Sequence, residues 1–449
     1  MSTENLTPNT LATITQDGTL ATSKADILLQ AEAVIPGGVN SSLRNIEPRL
    51  VPLKAEGAYF WDADGTRYLD YHGAFGPPIL GHSYPSVTRA VQEAVQRTDQ
   101  VGVGVGPHEV ELSLLIAKHI PSAERVLLCN SGSEATYHAI RLSRAVTGRT
   151  KIIKFQGCYH GFHDAVAMNC ISPEAKLGQR DPFSKGSHPQ VLGDTIVCEF
   201  NNLDSVETAF KTFEGQIAAI IVEPIPHNVG CLLPEDGFHA GLRKLTTQYG
   251  AILIFDEVIT GFRHALGGYQ SICGVTPDLT TLGKAIANGY PIAALAGKKE
   301  FMNRFNTRSG GDVFFAGTFN GHPVGSSAAI ATIKALESEN AHEYLFALGD
   351  TMRSGLREIM NRRGVTAEVA GFGSVFVTYF LEGPVRRYTD LLKNDADFFI
   401  DYRRRLLAKG IYKLPMNLKR NHLSLSHTHE DVQLTLEACD AVIGEMVKA

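Results

Sequence analysis

Two residues in this chain are of the type, and in the setting, that one kind of chemistry needs. Ala251-Ile-Leu-Ile-Phe-Asp256 reads as a buried strand that delivers a carboxylate at its C-terminal end. Further on, Asp278-Leu-Thr-Thr-Leu-Gly-Lys284 leaves a short strand and presents a long amine. The residues behind it, Ala-Ile-Ala-Asn-Gly-Tyr-Pro, are mostly small and leave room for a flat ligand. An amine that can form a Schiff base and an acid that can face a pyridinium nitrogen are what pyridoxal phosphate requires of a protein. Lys284 and Asp256 are the residues expected to hold it.

Other groups converge on the same chemistry. Asn130-Ser131-Gly132-Ser133-Glu134 joins a strand to a helix, where free backbone N–H groups and serine hydroxyls make an anion site for a cofactor phosphate. Taken alone the segment reads first as a plain helix cap; its place ahead of Asp256 and Lys284 favours the phosphate. Tyr159, in Gly157-Cys-Tyr-His-Gly161, is suited to stack on a pyridine ring, or else to close a turn. Glu223 ends a buried strand, where an unpaired acid is costly, and so is expected to steady the site. His227, just beyond it, reads as a loop histidine. Gly317-Thr318 offers a second phosphate contact or a helix cap. Arg44 and Arg263 are candidate carboxylate clamps, because a guanidinium matches a carboxylate in two-point fashion.

The elements that must position these groups follow from periodicity. From Tyr84 strands alternate with helices. Strands are expected at Val126–Cys129, Lys151–Phe155, Ile217–Glu223, Ala251–Asp256 and Ile292–Gly297, with a helix over Ser133–Thr147. That alternation predicts an α/β fold with a mostly parallel sheet wrapped by helices and ligands at the strands' C-terminal ends. Before it lie a weakly periodic helix at Thr22–Ala33 and a hairpin signal at Asp64-Gly65. After Glu337 a helix over Ala341–Arg363 leads to strands at Val365–Ala370 and Gly373–Phe380. A helix over Asp395–Lys409, a last strand at Leu423–Ser426 and a helix opening at Thr428 complete the chain. The expected division is a loose segment over 1–21, then 22–83 and 337–449 forming a smaller α+β domain from both termini, and 84–336 forming the large domain.

Composition narrows the class. The 449 residues carry a net charge of −5, which gives no reason to expect nucleic acid or an anionic membrane as partner. No apolar run approaches the ~18 residues of a spanning helix, and the polar start lacks the order of a signal peptide. Seven scattered cysteines without a CxxC pair point to a reducing compartment, the cytoplasm. There is no Walker loop, HExxH or GxSxG; Gly102-Val-Gly-Val-Gly106 follows a helix rather than a strand and does not fit a dinucleotide loop.

These residues, in this order, resemble the class III pyridoxal-phosphate aminotransferases, and within them the aminomutase branch that acts on glutamate-1-semialdehyde. The carrying stretches are Pro36-Gly-Gly-Val-Asn-Ser, Asn130-Ser-Gly-Ser-Glu-Ala, Lys151-Ile-Ile-Lys-Phe-Gln-Gly-Cys-Tyr-His-Gly, Phe255-Asp-Glu-Val-Ile-Thr-Gly-Phe-Arg, Pro277-Asp-Leu-Thr-Thr-Leu-Gly-Lys and Ala316-Gly-Thr. The resemblance implies fold type I and a homodimer acting on small-molecule amines and carbonyls. It implies Lys284 as the Schiff-base lysine, Asp256 as the pyridinium partner, and Ser131, Gly132 and Ser133 at the phosphate. Tyr159 and Val258 would cover the two ring faces, Glu223 would steady the site, and Thr318 would reach over from the neighbouring subunit. Arg44 and Ser172 align with substrate-binding positions. The branch's Ser-Trp-Gly-Pro is Ala74-Phe75-Gly76-Pro77 here, and a glutamate near the C-terminal strand is replaced by Lys419. An inward-facing Lys419 would disfavour a diamine, so the expectation is an aminotransferase acting between two molecules on a carboxylate-bearing donor. The aminomutase is the runner-up; a racemase or lyase shares the same cofactor residues.

Overall fold

The computed structural model describes residues 23–448, so the loose segment expected over 1–21 lies outside the described residues. A helix at Lys24–Val34 precedes a meander of three strands, β1 (Pro52–Glu56), β2 (Tyr59–Asp62) and β3 (Arg67–Asp70). β2 and β3 are antiparallel, with Gly65 at φ 82° in their turn as the Asp-Gly signal requires.

The centre is a sheet of seven strands. In chain order they are β4 (Arg125–Cys129), β5 (Lys151–Phe155), β6 (Thr195–Cys198), β7 (Ile217–Val222), β8 (Ile252–Glu257), β9 (Leu279–Leu282) and β10 (Ala293–Gly297), and in space β4-β10-β9-β8-β7-β5-β6. Only β10 runs against its neighbours; the pairings among β6, β5, β7, β8 and β9 are all parallel. Every residue of β7 and β8 is buried, as strands covered by helices on both faces must be. The helix Gly132–Thr147 enters behind β4. Ser131 Oγ accepts from Glu134 N, and Glu134 returns its carboxylate to the Ser131 and Asn130 N–H groups.

After the helix Ala341–Arg363 come β11 (Glu368–Phe372), β12 (Val375–Tyr379), β13 (Ile411–Tyr412) and β14 (Asn421–His422). β11, β12 and β14 form a sheet of their own, while β13 joins β3 in parallel and fastens the C-terminal part to the N-terminal meander. The α/β architecture expected from the alternation is present. Two details differ. The last strand is Asn421–His422, not Leu423–Ser426: Leu423 N and Leu425 N reach Ser374 O and Ile79 O as separate loop bonds, with no ladder. Thr195–Cys198, too short for its periodicity to register, is the sheet's edge strand. Among the described residues no helix is long and apolar enough to cross a membrane.

Candidate active site

The C-terminal ends of β4, β5, β7, β8 and β9 open into one cavity of about 500 Å3. Asp256 and Glu257 are successive in β8 and face opposite sides, as strand residues do. Glu257 turns into packing, where Gln270 N and Nε2 and Thr260 Oγ1 donate to it. Asp256 turns to the cavity. Its Oδ1 accepts from Thr281 Oγ1 at 2.9 Å, across the β8–β9 register, and from Val258 N at 3.1 Å. Its Oδ2 lies 2.7 Å from His160 Nδ1. Burial holds the His160 pKa below the ordinary histidine value, so the neutral ring donates through Nδ1.

Lys284 stands where β9 ends, on the same wall. Its backbone is left-handed at φ 45°, an uncommon state for a residue with a Cβ. Burial first, and then the charge of Arg420, pull its amine down to about 8. Ser131, Gly132 and Ser133 line the side formed by the helix start. The first N–H groups of that helix have no acceptor within it. Val258 packs against Gly132, where a Cβ would meet the two Val258 methyls at 3.0 Å. Tyr159 lines the same cavity.

Glu223, at the end of β7, takes the Tyr159 N–H on Oε1 at 2.7 Å and the His227 N–H on Oε2 at 3.1 Å. Burial and the nearby Asp256 charge push its carboxyl up to about 7. Lys419 does face inward: its Nζ donates to Asn228 O at 3.1 Å and Oδ1 at 3.2 Å, and burial draws it down to about 8. Beside it Arg420 donates from Nη1 to His227 O (2.7 Å), from Nη2 to Phe75 O (2.8 Å) and from Nε to His422 Nε2 (3.0 Å). Phe75, left-handed at φ 68°, lines the cavity, and Arg44 stands exposed at its mouth with Leu43.

Three expected residues are elsewhere. Ser172 is buried off the cavity wall, and its carbonyl accepts from Tyr388 Oη at 2.8 Å. Arg263 is no carboxylate clamp: its fully buried guanidinium braces Ser374 Oγ (3.0 Å) and Gly76 O. Thr318 is exposed on a second cavity of about 930 Å3, formed with the Val101–Gly106 loop. His227 is no free loop residue, since its Nε2 lies 2.9 Å from His264 Nε2 in the core. Arg420, His160 and Asn228 went unread as separate site residues. For Arg420 the signal was a second cation next to Lys419, just before the alternating Asn421-His-Leu-Ser-Leu-Ser426.

The arrangement brings a depressed amine, a thrice-bonded carboxylate, a helix start and two inner cations to one cavity. The chain matches the family described as aminotransferase class-III over residues 42–443. It is 41% identical over 422 residues to a glutamate-1-semialdehyde 2,1-aminomutase of Desulforudis audaxviator (strain MP104C), covering 93% of this chain and 96% of that one. Among solved structures it is similar to an omega-transaminase from Sphaerobacter thermophilus, with TM-score 0.88, 32% identity, and 94% and 97% of the two chains covered. It is also similar to a beta-phenylalanine aminotransferase from Variovorax paradoxus, with TM-score 0.83, 31% identity, and 94% and 92% covered.

Proposed function

The chain belongs to the class-III aminotransferase family, and from that premise we propose that it moves an amino group from a carboxylate-bearing donor to a separate carbonyl acceptor. Its fold is that of the type I enzymes and its cofactor is pyridoxal phosphate. The residues fit that group: a buried amine, a carboxylate at the end of β8, a glycine that allows close approach and a helix N-terminus share one cavity.

When bound, pyridoxal phosphate supplies an aldehyde that links to amines and a ring that accepts the electron pair released at the substrate carbon. Lys284 would hold the aldehyde in the resting enzyme, and its amine would carry a proton away from the donor carbon and, in the second half of the reaction, to the acceptor carbon. Asp256 would keep the ring nitrogen protonated, with His160 and Thr281 holding Asp256 in place. Ser131, Gly132 and Ser133 would bind the phosphate. Tyr159 and Val258 would pack against the ring, with Glu223 fixing the Tyr159 backbone. Arg44 and Phe75 shape the substrate side.

The observation that carries the choice of reaction is Lys419. Its amine lies in the cavity wall with Arg420, and two cations there favour a carboxylate and oppose a diamine. The aminomutase remains the second reading, favoured by the name of the sequence relative and by Arg44 at the mouth. We place the enzyme in the cytoplasm, in keeping with seven unpaired cysteines, and as a homodimer in which Thr318 serves the other copy's site. We keep the division near residues 84 and 336, in keeping with the β3–β13 pairing.

The test is a half-reaction on cofactor-loaded protein with single amines and no acceptor: α- and β-amino acids, simple amines and 4,5-diaminovalerate. Loss of cofactor absorbance with stoichiometric carbonyl product from an ordinary amino acid establishes transfer between molecules. A response confined to diaminovalerate, with isomerisation of glutamate-1-semialdehyde, overturns it in favour of the mutase.

A further inference from the structure

Lys154, in β5, is completely buried. Its ammonium donates to the carbonyl oxygens of Cys158 (3.1 Å), Val166 (3.3 Å) and Met168, and lies 3.6 Å from Cys170 Sγ. None of these is an acid. A buried cation held only by neutral groups is costly, so its place calls for a reason.

The reason lies across one peptide. The Cys158 oxygen belongs to the peptide unit whose N–H is that of Tyr159, and this N–H donates to Glu223 Oε1 at 2.7 Å. A single peptide is therefore gripped by a buried cation at its oxygen and a buried acid at its hydrogen. Cys170 Sγ adds a donor to the same oxygen at 2.9 Å. Burial raises the pKa of the Cys158 and Cys170 thiols; the Glu223 charge adds to that rise and the Lys154 charge offsets part of it. Because a peptide is planar, fixing both ends fixes the direction in which the chain enters Tyr159. The next residue, His160, holds Asp256.

We propose that Lys154 is a positioning residue for the reaction: with Glu223 it clamps the Cys158–Tyr159 peptide, so that Tyr159 faces the cofactor ring and His160 reaches Asp256. It touches no reacting atom. The proposal rests on the reading of Tyr159 as the ring's neighbour, and the experiment separates the two.

Lys154→Met, Lys154→Gln, Glu223→Gln and the Met/Gln double variant are prepared as holoenzymes. Three quantities are read: hydrogen exchange of the peptide spanning residues 156–170, visible circular dichroism of the bound cofactor, and kcat and KM. For Lys154→Met the expected result is about tenfold faster exchange, a weakened cofactor dichroism, and kcat lowered about tenfold with KM changed less than about twofold. Lys154→Gln, which keeps two N–H donors, should fall between; it carries the test if the Met variant does not fold. The double variant should lose less than the product of the single losses, because both groups act on one peptide. A lowered melting point with unchanged dichroism and kcat overturns the proposal, as do fully multiplicative losses. Faster exchange without a dichroic change leaves the clamp but removes its role at the ring. A Tyr159→Leu holoenzyme with cofactor dichroism and kcat unchanged defeats the reading of Tyr159 itself.

Discussion

His160 Nδ1 lies 2.7 Å from Asp256 Oδ2, and both side chains are buried. His160→Leu leaves that oxygen without its donor, whereas His160→Asn puts an amide N–H near the place of Nδ1. A hydrogen bond to a charged group is worth about 1.5–3 kcal/mol. The Leu variant should therefore lose roughly 10- to 150-fold in kcat/KM, and the Asn variant should recover most of it. Equal losses in both, measured by steady-state kinetics, would remove His160 from the support of Asp256.

Lys284 carries the next expectation. Lys284→Ala should abolish turnover while leaving a folded protein that still takes up cofactor non-covalently. In the cofactor-free wild type, the neutral amine is the reactive form. With its pKa near 8, the rate of pyridoxal phosphate uptake should climb about tenfold per pH unit below 8 and level off above it. Stopped-flow absorbance between pH 6 and 10 checks this; a rise continuing to pH 10 would show an ordinary lysine.

Lys419→Met should raise KM for carboxylate-bearing donors by about tenfold and leave simple amines unchanged, since only the former meet the lost charge. Lys419→Glu should go further and admit 4,5-diaminovalerate in the half-reaction. If Lys419→Met changes both donor classes alike, the residue acts on packing rather than on charge.

Glu223 couples the site to stability. Its carboxyl is raised to about 7 against an ordinary 4.5, so its ionisation opposes folding. Its contribution is fully present below about pH 4.5 and is lost as pH rises through 7. Glu223→Gln, compared with wild type as cofactor-free protein, should gain relative stability from pH 5 to pH 8, by up to about 3 kcal/mol. A constant difference in denaturant midpoint across that range would contradict it.

What could be read in the chain and what could not divides by distance. Asp256, Lys284, Ser131–Ser133 and Glu223 each sit at the end of an apolar strand or the start of a helix, so local pattern places them at one edge of the sheet. Arg420 and Arg263 look alike in sequence. One lines the cavity and the other is buried behind Gly76, a difference decided by how β14 and the Gly73–Pro77 loop pack from opposite ends of the chain. Lys154 sits between Ile153 and Phe155 in a strand that is buried on both faces, and no periodicity reveals that its amine finds three carbonyls. Ser172, off the cavity wall, makes a related point: the order of residues across a loop does not fix the side they face.

Thr318 is the residue whose role depends on a second copy. It lies exposed, away from the cavity that holds Lys284, so within one chain it has no part in that site. If it serves the other subunit, two crippled variants should complement. Lys284→Ala lacks the amine, and Thr318→Glu sets a negative charge against the cofactor phosphate. In a mixed dimer one site combines both defects, while the other has an intact Lys284 and an intact Thr318. After subunit exchange between equal amounts, half the dimers are mixed and each has one sound site, giving about a quarter of wild-type activity. Were Thr318 to act within its own chain, every site in the mixture would carry one defect or the other, and activity would stay at the level of the separate variants.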